Sequence, residues 1–137
     1  MTYNPDPRQS YQPAPSRLDG EDKTMMLLAH LSAPASYLLS AGSLPFLGPL
    51  LIWLLFKDKS PAVRAASAGA FNFNVSTFVV TALTWLSVIL TLGIGLIWAI
   101  PILIVVFIVV VWVHVRAVMK TLDGQVYQYP FQVPILH

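Results

Sequence analysis

From Thr24 to Val115 the chain carries Asp, Glu, Lys or Arg at only four positions, all within 57–64. A domain folded in water cannot cover its surface that way, because such domains are roughly 25% charged. Here charged residues make up 10% of 137 and hydrophobic residues 56%. Lipid must solvate much of the surface. In lipid every backbone N–H and C=O has to be satisfied internally, which for segments of this kind means helices. The expectation is an all-α integral membrane protein, a compact bundle of four hydrophobic helices whose first two form a short hairpin.

Three regions follow from composition: a Pro-rich disordered tail at 1–23, a membrane domain at 24–120 and an extended amphipathic tail at 121–137. The first tail holds Pro5, Pro7, Pro13 and Pro15 and lacks the apolar core of a signal peptide. Two apolar segments, 24–43 and 44–56, share 33 residues, fewer than two full crossings need at about 20 each. They predict a hairpin that is tilted, thins the bilayer or re-enters, broken by Gly42, Pro45, Gly48 and Pro49. Ser60-Pro61 predicts a helix start, a hydroxyl N-cap followed by proline at the first helical position. The third span is placed at 71–92 after a weakly apolar entry, and Ala62, Ala66 and Ala70 offer a close-packing face there. Gly93-Ile94-Gly95 forms a turn, and the fourth span runs over 96–115 with a kink at Pro101.

Charge placement sets the expected sidedness. Arg8, Arg17 and Lys23 precede the first segment; Lys57, Lys59 and Arg64 separate the second from the third; Arg116 and Lys120 follow the fourth. The other two connections hold no basic residue, so all eight fall on one side, and both termini are expected in the cytoplasm of a bacterial cell membrane. After Asp123-Gly124, Tyr127, Tyr129, Phe131, Val133 and Ile135 alternate with polar residues or proline. That period of two suits an extended segment resting on the membrane surface or on the hairpin.

Polar side chains at membrane depth are the remaining candidates. Ser32, Ser36 and Ser40 recur every four residues on the first helix, and Asn74, Thr77, Thr81 and Thr84 line one face of the third, with Asn72 beside them. Such stripes either glue helices together or line a polar path. The asparagines lie near the cytoplasmic end, where water or headgroups would satisfy them. His30 and His114 have no carboxylate near them along the membrane segments, which argues against a proton relay. Two scattered imidazoles do not make a metal site. Cysteine is absent, no nucleophile has an evident base, and no phosphate-binding glycine loop occurs. The expectation is therefore no enzyme and no cofactor, and a charge of +2 gives no reason to expect nucleic acid.

The runs AHLSAPASYLL, LGPLLIWLLFKDKSPAV, AFNFNVS and YQYPFQVPIL together resemble a bacterial family of small membrane proteins of unknown function. That family is related to a four-helix subunit of the chloroplast inner-envelope import translocon, the Tic-twenty-like group. The resemblance singles out Gly48, Pro49, Trp53, Lys57, Asp58, Asn72, Tyr129 and Pro130. It implies translocation only by analogy. The residues favour a structural or accessory subunit packing with a membrane complex or with itself, the bilayer being its first partner. The alternative is a transport or translocation component with a polar path along helices one and three, its substrate unspecified. A third possibility is lipid binding by the basic patch at 57–64.

Overall fold

The computed structural model describes residues 19–40 and 43–137. Most of the proline-rich tail, with Arg8 and Arg17, and Gly42 of the hairpin break lie outside them. Four helices and no strand occur among the described residues: α1 (Gly20–Leu39), α2 (Leu47–Phe56), α3 (Pro61–Leu90) and α4 (Leu96–Leu122).

Helix α1 starts four residues before the expected Thr24. The Asp19 carboxylate accepts the Asp22 N–H at 2.7 Å, and Glu21 and Asp22 complement the positive end of the helix dipole. Its buried residues, Met26, Ala29, His30 and Ala33, lie on a single helical face. At its other end Ser40 organises the exit: its hydroxyl donates to the Ser36 carbonyl at 2.6 Å and accepts the Leu44 N–H at 2.9 Å.

Helix α2 is shorter than the apolar run that encodes it. Ten residues span about 15 Å, half of a bilayer's hydrocarbon thickness. Gly48 lets it press onto α1, for a Cβ there would sit 2.6 Å from both Ser32 Cβ and Ser36 Oγ. Pro61 opens α3 as expected, but the Ser60 hydroxyl makes no capping bond.

Helices α3 and α4, with 30 and 27 residues, are both long and apolar enough to cross a membrane. α4 runs unbroken through Pro101. Between them Leu92 (φ 51°) and Gly93 (φ 95°) take left-handed conformations, and the Gly93 N–H reaches back to the Val88 carbonyl. Thr91 completes the turn, donating to the Ser87 carbonyl and accepting the Gly95 N–H.

α1 packs against all three other helices and α3 against α2 and α4, whereas α2 does not touch α4. This cover is one-sided. Along α3 almost everything from Ala66 to Asn74 is buried, but beyond that only Thr84 and Val88 are. The far half of the α3–α4 hairpin instead presents Leu83, Ile89, Ile97 and Phe107 outward. Ala66 and Ala70 of the alanine face are consumed inside the chain, against Met26 and Val63 and against Phe73 and Val113 respectively.

The C-terminal segment is extended and lies against the helices. α4 stops where Gly124 (φ 75°) turns the chain and the Gln125 N–H bonds to the Lys120 carbonyl. Residues 125–137 then run back alongside the bundle. Tyr129 is buried among Ala70, Phe73, Val113 and Ala117, and Phe131 borders a groove with Thr77, Val80, Val105 and Val109. Ile135 and Leu136 return to Asn72, and His137 returns to Arg64. At 1.5 Å per residue, Phe131 reaches a level about 10 Å beyond Arg116 along α4. The expected period of two holds at Tyr127 and Tyr129, which pack on the core, and ends there, since Phe131, Val133 and Ile135 are exposed. The segment is extended and rests on the helices, its Tyr129 wedged among α1, α3 and α4 and its His137 held by Trp53 of the first hairpin.

Candidate functional site

Backbone that enters a bundle without forming a helix or sheet must borrow partners from side chains. Asn72 provides three. Its Oδ1 accepts the N–H groups of Ile135 and Leu136 at 3.1 and 2.9 Å, and its Nδ2 donates to the Leu136 carbonyl at 2.9 Å. One turn on, Ser76 accepts the Val133 N–H at 3.0 Å while donating to the Asn72 carbonyl. Trp53 Nε1 and Arg64 Nε both donate to the main-chain oxygen of His137, at 3.3 and 2.7 Å.

Within the wedge, the Tyr129 hydroxyl pairs with His30 Nδ1 at 2.7 Å, and His30 is fully buried. The Tyr129 ring lies 5.3 Å from Phe73, 6.0 Å from His114 and 5.1 Å from Tyr127, a cluster built mainly of edge-on and tilted contacts. His114 Nδ1 meets the Val110 carbonyl at 2.9 Å, which makes that nitrogen the N–H. Nε2 is then the acceptor for Asn74 Nδ2 at 3.3 Å, while Asn74 also donates to the Ala70 carbonyl. Protein groups, not water or headgroups, satisfy both asparagines. His30 Nε2 and Thr121 Oγ1 are buried without a partner. Among the described residues no three His, Cys, Asp or Glu side chains converge as metal ligands would.

The two hydroxyl stripes do not face each other. Ser32 and Ser36 form the bed for Gly48 of α2, and Ser32 donates to the Ala29 carbonyl. Thr77 and Thr84 donate to carbonyls of their own helix, Asn74 and Val80, and Thr84 is buried while Thr81 is half-buried. Their donor capacity is spent locally, which is how a threonine becomes acceptable in lipid. The motif residues divide by place. Gly48 and Pro49 are buried against α1, while Trp53 and Tyr129 hold the C-terminal segment beside Pro130. Lys57 folds over the Trp53 ring at 4.4 Å, and Asp58 is exposed. Lys59 lies over Phe56 and Arg116 over Trp112 in the same way, so much of the basic patch is occupied with rings.

Sequence reasoning missed the pairings His30–Tyr129 and His114–Asn74. A usable signal was present, namely two imidazoles at membrane depth with no carboxylate to receive them. Their partners were polar groups that had been assigned to the interface.

Residues 21–136 match the profile of the MamF/MmsF family, described as the magnetosome magnetite crystal formation protein family. No curated protein and no solved structure matches the chain. The profile match overturns the resemblance to the Tic-twenty-like group, and with it the translocation analogy. The motifs behind that resemblance are largely what a tight helical hairpin requires: Gly-Pro at a close crossing, an apolar run, and a charged turn ending in Ser-Pro. Shared packing demands carried the likeness.

Proposed function

The chain belongs to the magnetosome magnetite crystal formation protein family, and from that premise we propose that it is a multi-pass accessory protein of the magnetosome membrane. In this reading it has no catalytic role and contributes to crystal formation by packing with other membrane proteins or with itself. The observation that carries the reading is how its intramembrane polar groups are used. Asn72, Ser76 and Tyr129 hold a non-helical segment in place, and the threonines bond to their own helix. Such a site fixes a shape. The outward surface of the α3–α4 hairpin is the complementary asset, a lipid-facing wall of Leu, Ile and Phe that other helices can displace lipid from.

Sidedness belongs to the same proposal. Lys23, Lys57, Lys59, Arg64, Arg116 and Lys120 all lie at the end of the bundle where α3 begins and α4 finishes. By the positive-inside rule that end faces the cytoplasm and both termini lie there. The α3–α4 turn then faces the magnetosome interior. It carries Leu92, Ile94 and Thr91 and no carboxylate, so the protein acts on crystal formation through the membrane assembly and not by holding metal at that turn.

The test is affinity purification of the tagged full-length protein from magnetosome membranes in a mild detergent. A stoichiometric membrane-protein partner or a defined homo-oligomer is expected. A lone monomer in several detergents and in nanodiscs would overturn the accessory reading.

A further inference from the structure

The α1–α2 hairpin stops partway along the α3–α4 pair. Phe46, where α2 begins, packs its ring edge-on against Phe71 and Phe78 of α3, at 6.0 and 5.5 Å. Phe78 lies about 26 Å along α3 from Pro61, and α3 continues for about 18 Å more to Leu90. In that further stretch only Thr84 and Val88 of α3 are buried, and over residues 96–111 of α4 only Ala99 is. Four helices stand side by side at the basic end and two at the other.

Helix α4 gives the level of the bilayer. Between Gly95 and Arg116 it carries no charged residue for about 30 Å, the thickness of the hydrocarbon core. Ala117, beside Arg116, packs in one cluster with Ala70, so Ala70 marks the same level on α3. Phe78 is about 12 Å farther in, short of the midplane at about 15 Å. The turn of the first hairpin suits that depth. No Asp, Glu, Lys or Arg occurs between Lys23 and Lys57. Its backbone is bonded within the chain, as hydrocarbon demands and water would not. The Ser40 hydroxyl accepts the Leu44 N–H at 2.9 Å, and the Ser40 and Leu44 carbonyls accept the N–H groups of Ser43 and Leu47. Around the hairpin Leu31, Leu38, Leu39, Leu51, Leu54 and Leu55 are exposed and need acyl chains beside them.

Two helices present in one leaflet only, each about 10 Å across, widen the chain there by about 160 Å². A flat bilayer gives both leaflets the same area. Its lipids must then crowd beside the hairpin and splay beneath it. Bending the membrane so that the basic side is convex gives the wider end more room and relieves both strains. We propose that the α1–α2 hairpin stays within one leaflet and makes the chain a taper, which gathers on strongly curved bilayer that is convex on its basic side. With the basic end in the cytoplasm, the favoured surface is the outer face of a small compartment inside the cell. That last step rests on the sidedness proposed above, whereas the taper and the sign of curvature relative to the basic end do not.

The experiment places the full-length protein in giant vesicles of choline phospholipid, from which narrow membrane tubes are pulled outward. The chain has no cysteine, so Asp58→Cys, at an exposed position of the basic end, takes a single dye. Molecules whose dye an impermeant reductant can bleach have that end outside, on the convex side of the tube. They should be at least about twofold denser on the tube than on the parent vesicle, and molecules of the opposite orientation about twofold sparser. Equal density on tube and vesicle would overturn the proposal, as would enrichment that ignores orientation. Depth is read separately with Leu39→Cys, a side chain 91% exposed. A dye there should be quenched by bromines deep in the acyl chains of the basic-side leaflet. Labelling of that cysteine by an impermeant reagent from the other side would show a hairpin that crosses, and would also overturn the proposal. A curvature preference in a protein that retains no partner would fail the accessory role and leave the taper standing. A stoichiometric partner without the preference would do the reverse.

Discussion

Replacing Asn72 by leucine tests whether one side chain holds the wedge. The substitution keeps the volume close and removes three hydrogen bonds, to the N–H groups of Ile135 and Leu136 and to the Leu136 carbonyl. At about 1 kcal/mol net per bond the loss is about 3 kcal/mol. If the segment stayed seated, each orphaned group would cost about 1–3 kcal/mol, so releasing it becomes the easier course. A change of 1.4 kcal/mol is tenfold in an equilibrium, and local opening of residues 132–137 should therefore rise about 100-fold. Hydrogen–deuterium exchange in nanodiscs reads this directly: the Ile135 and Leu136 amides should exchange about 100-fold faster, while those of α2 stay put. Ser76→Ala supplies the graded comparison. It loses the single bond to the Val133 N–H, so about fivefold faster exchange is expected there. Exchange at Ile135 and Leu136 within threefold of the unaltered protein would refute the reasoning, since backbone at that depth would then be held by something other than Asn72.

Gly48→Ala sets helix propensity against overlap. The gain of about 1 kcal/mol is outweighed by about 1–3 kcal/mol of overpacking on Ser32 and Ser36, so the thermal midpoint should fall, whereas Gly20→Ala, with nothing within 4 Å, should leave it level or raise it. Tyr129→Phe strands His30 Nδ1 in a fully buried position and should cost about 1–3 kcal/mol in denaturant titration, and adding His30→Leu should recover most of that. Leu92→Asn relieves a left-handed leucine and should stabilise the turn by up to about 1 kcal/mol, measured in the same titration. A cysteine at Thr84 should resist a membrane-impermeant thiol reagent from either side in sealed vesicles; rapid labelling there would revive a water-filled path.

The helices were legible because apolar length and charge spacing are strong local signals. Ser60-Pro61 and Gly93-Ile94-Gly95 bracket α3 to within a few residues. The start of α1 was displaced because Asp19 caps a turn of polar residues that composition alone assigns to the tail. For the C-terminal segment the period of two leaves two supports open, the membrane surface and the hairpin. Alternating aromatic and polar residues look alike whether they float at an interface or dock into a bundle. The deciding information lies in Asn72 and His30, remote in sequence and individually ambiguous. The serine stripe showed its spacing but not its partner, because the room it makes is explained only by Gly48 on the neighbouring helix.

The His30–Tyr129 pair joins residues 99 positions apart, with every helix but the start of α1 synthesised between them. Until Tyr129 has been synthesised, the seam between the helices therefore lacks the group that closes it. His30 and Asn72 then lack the partners that Tyr129, Ile135 and Leu136 supply. A change within 127–137 that kept those residues from seating would leave His30 Nδ1 and the Asn72 amide without the partners they have here.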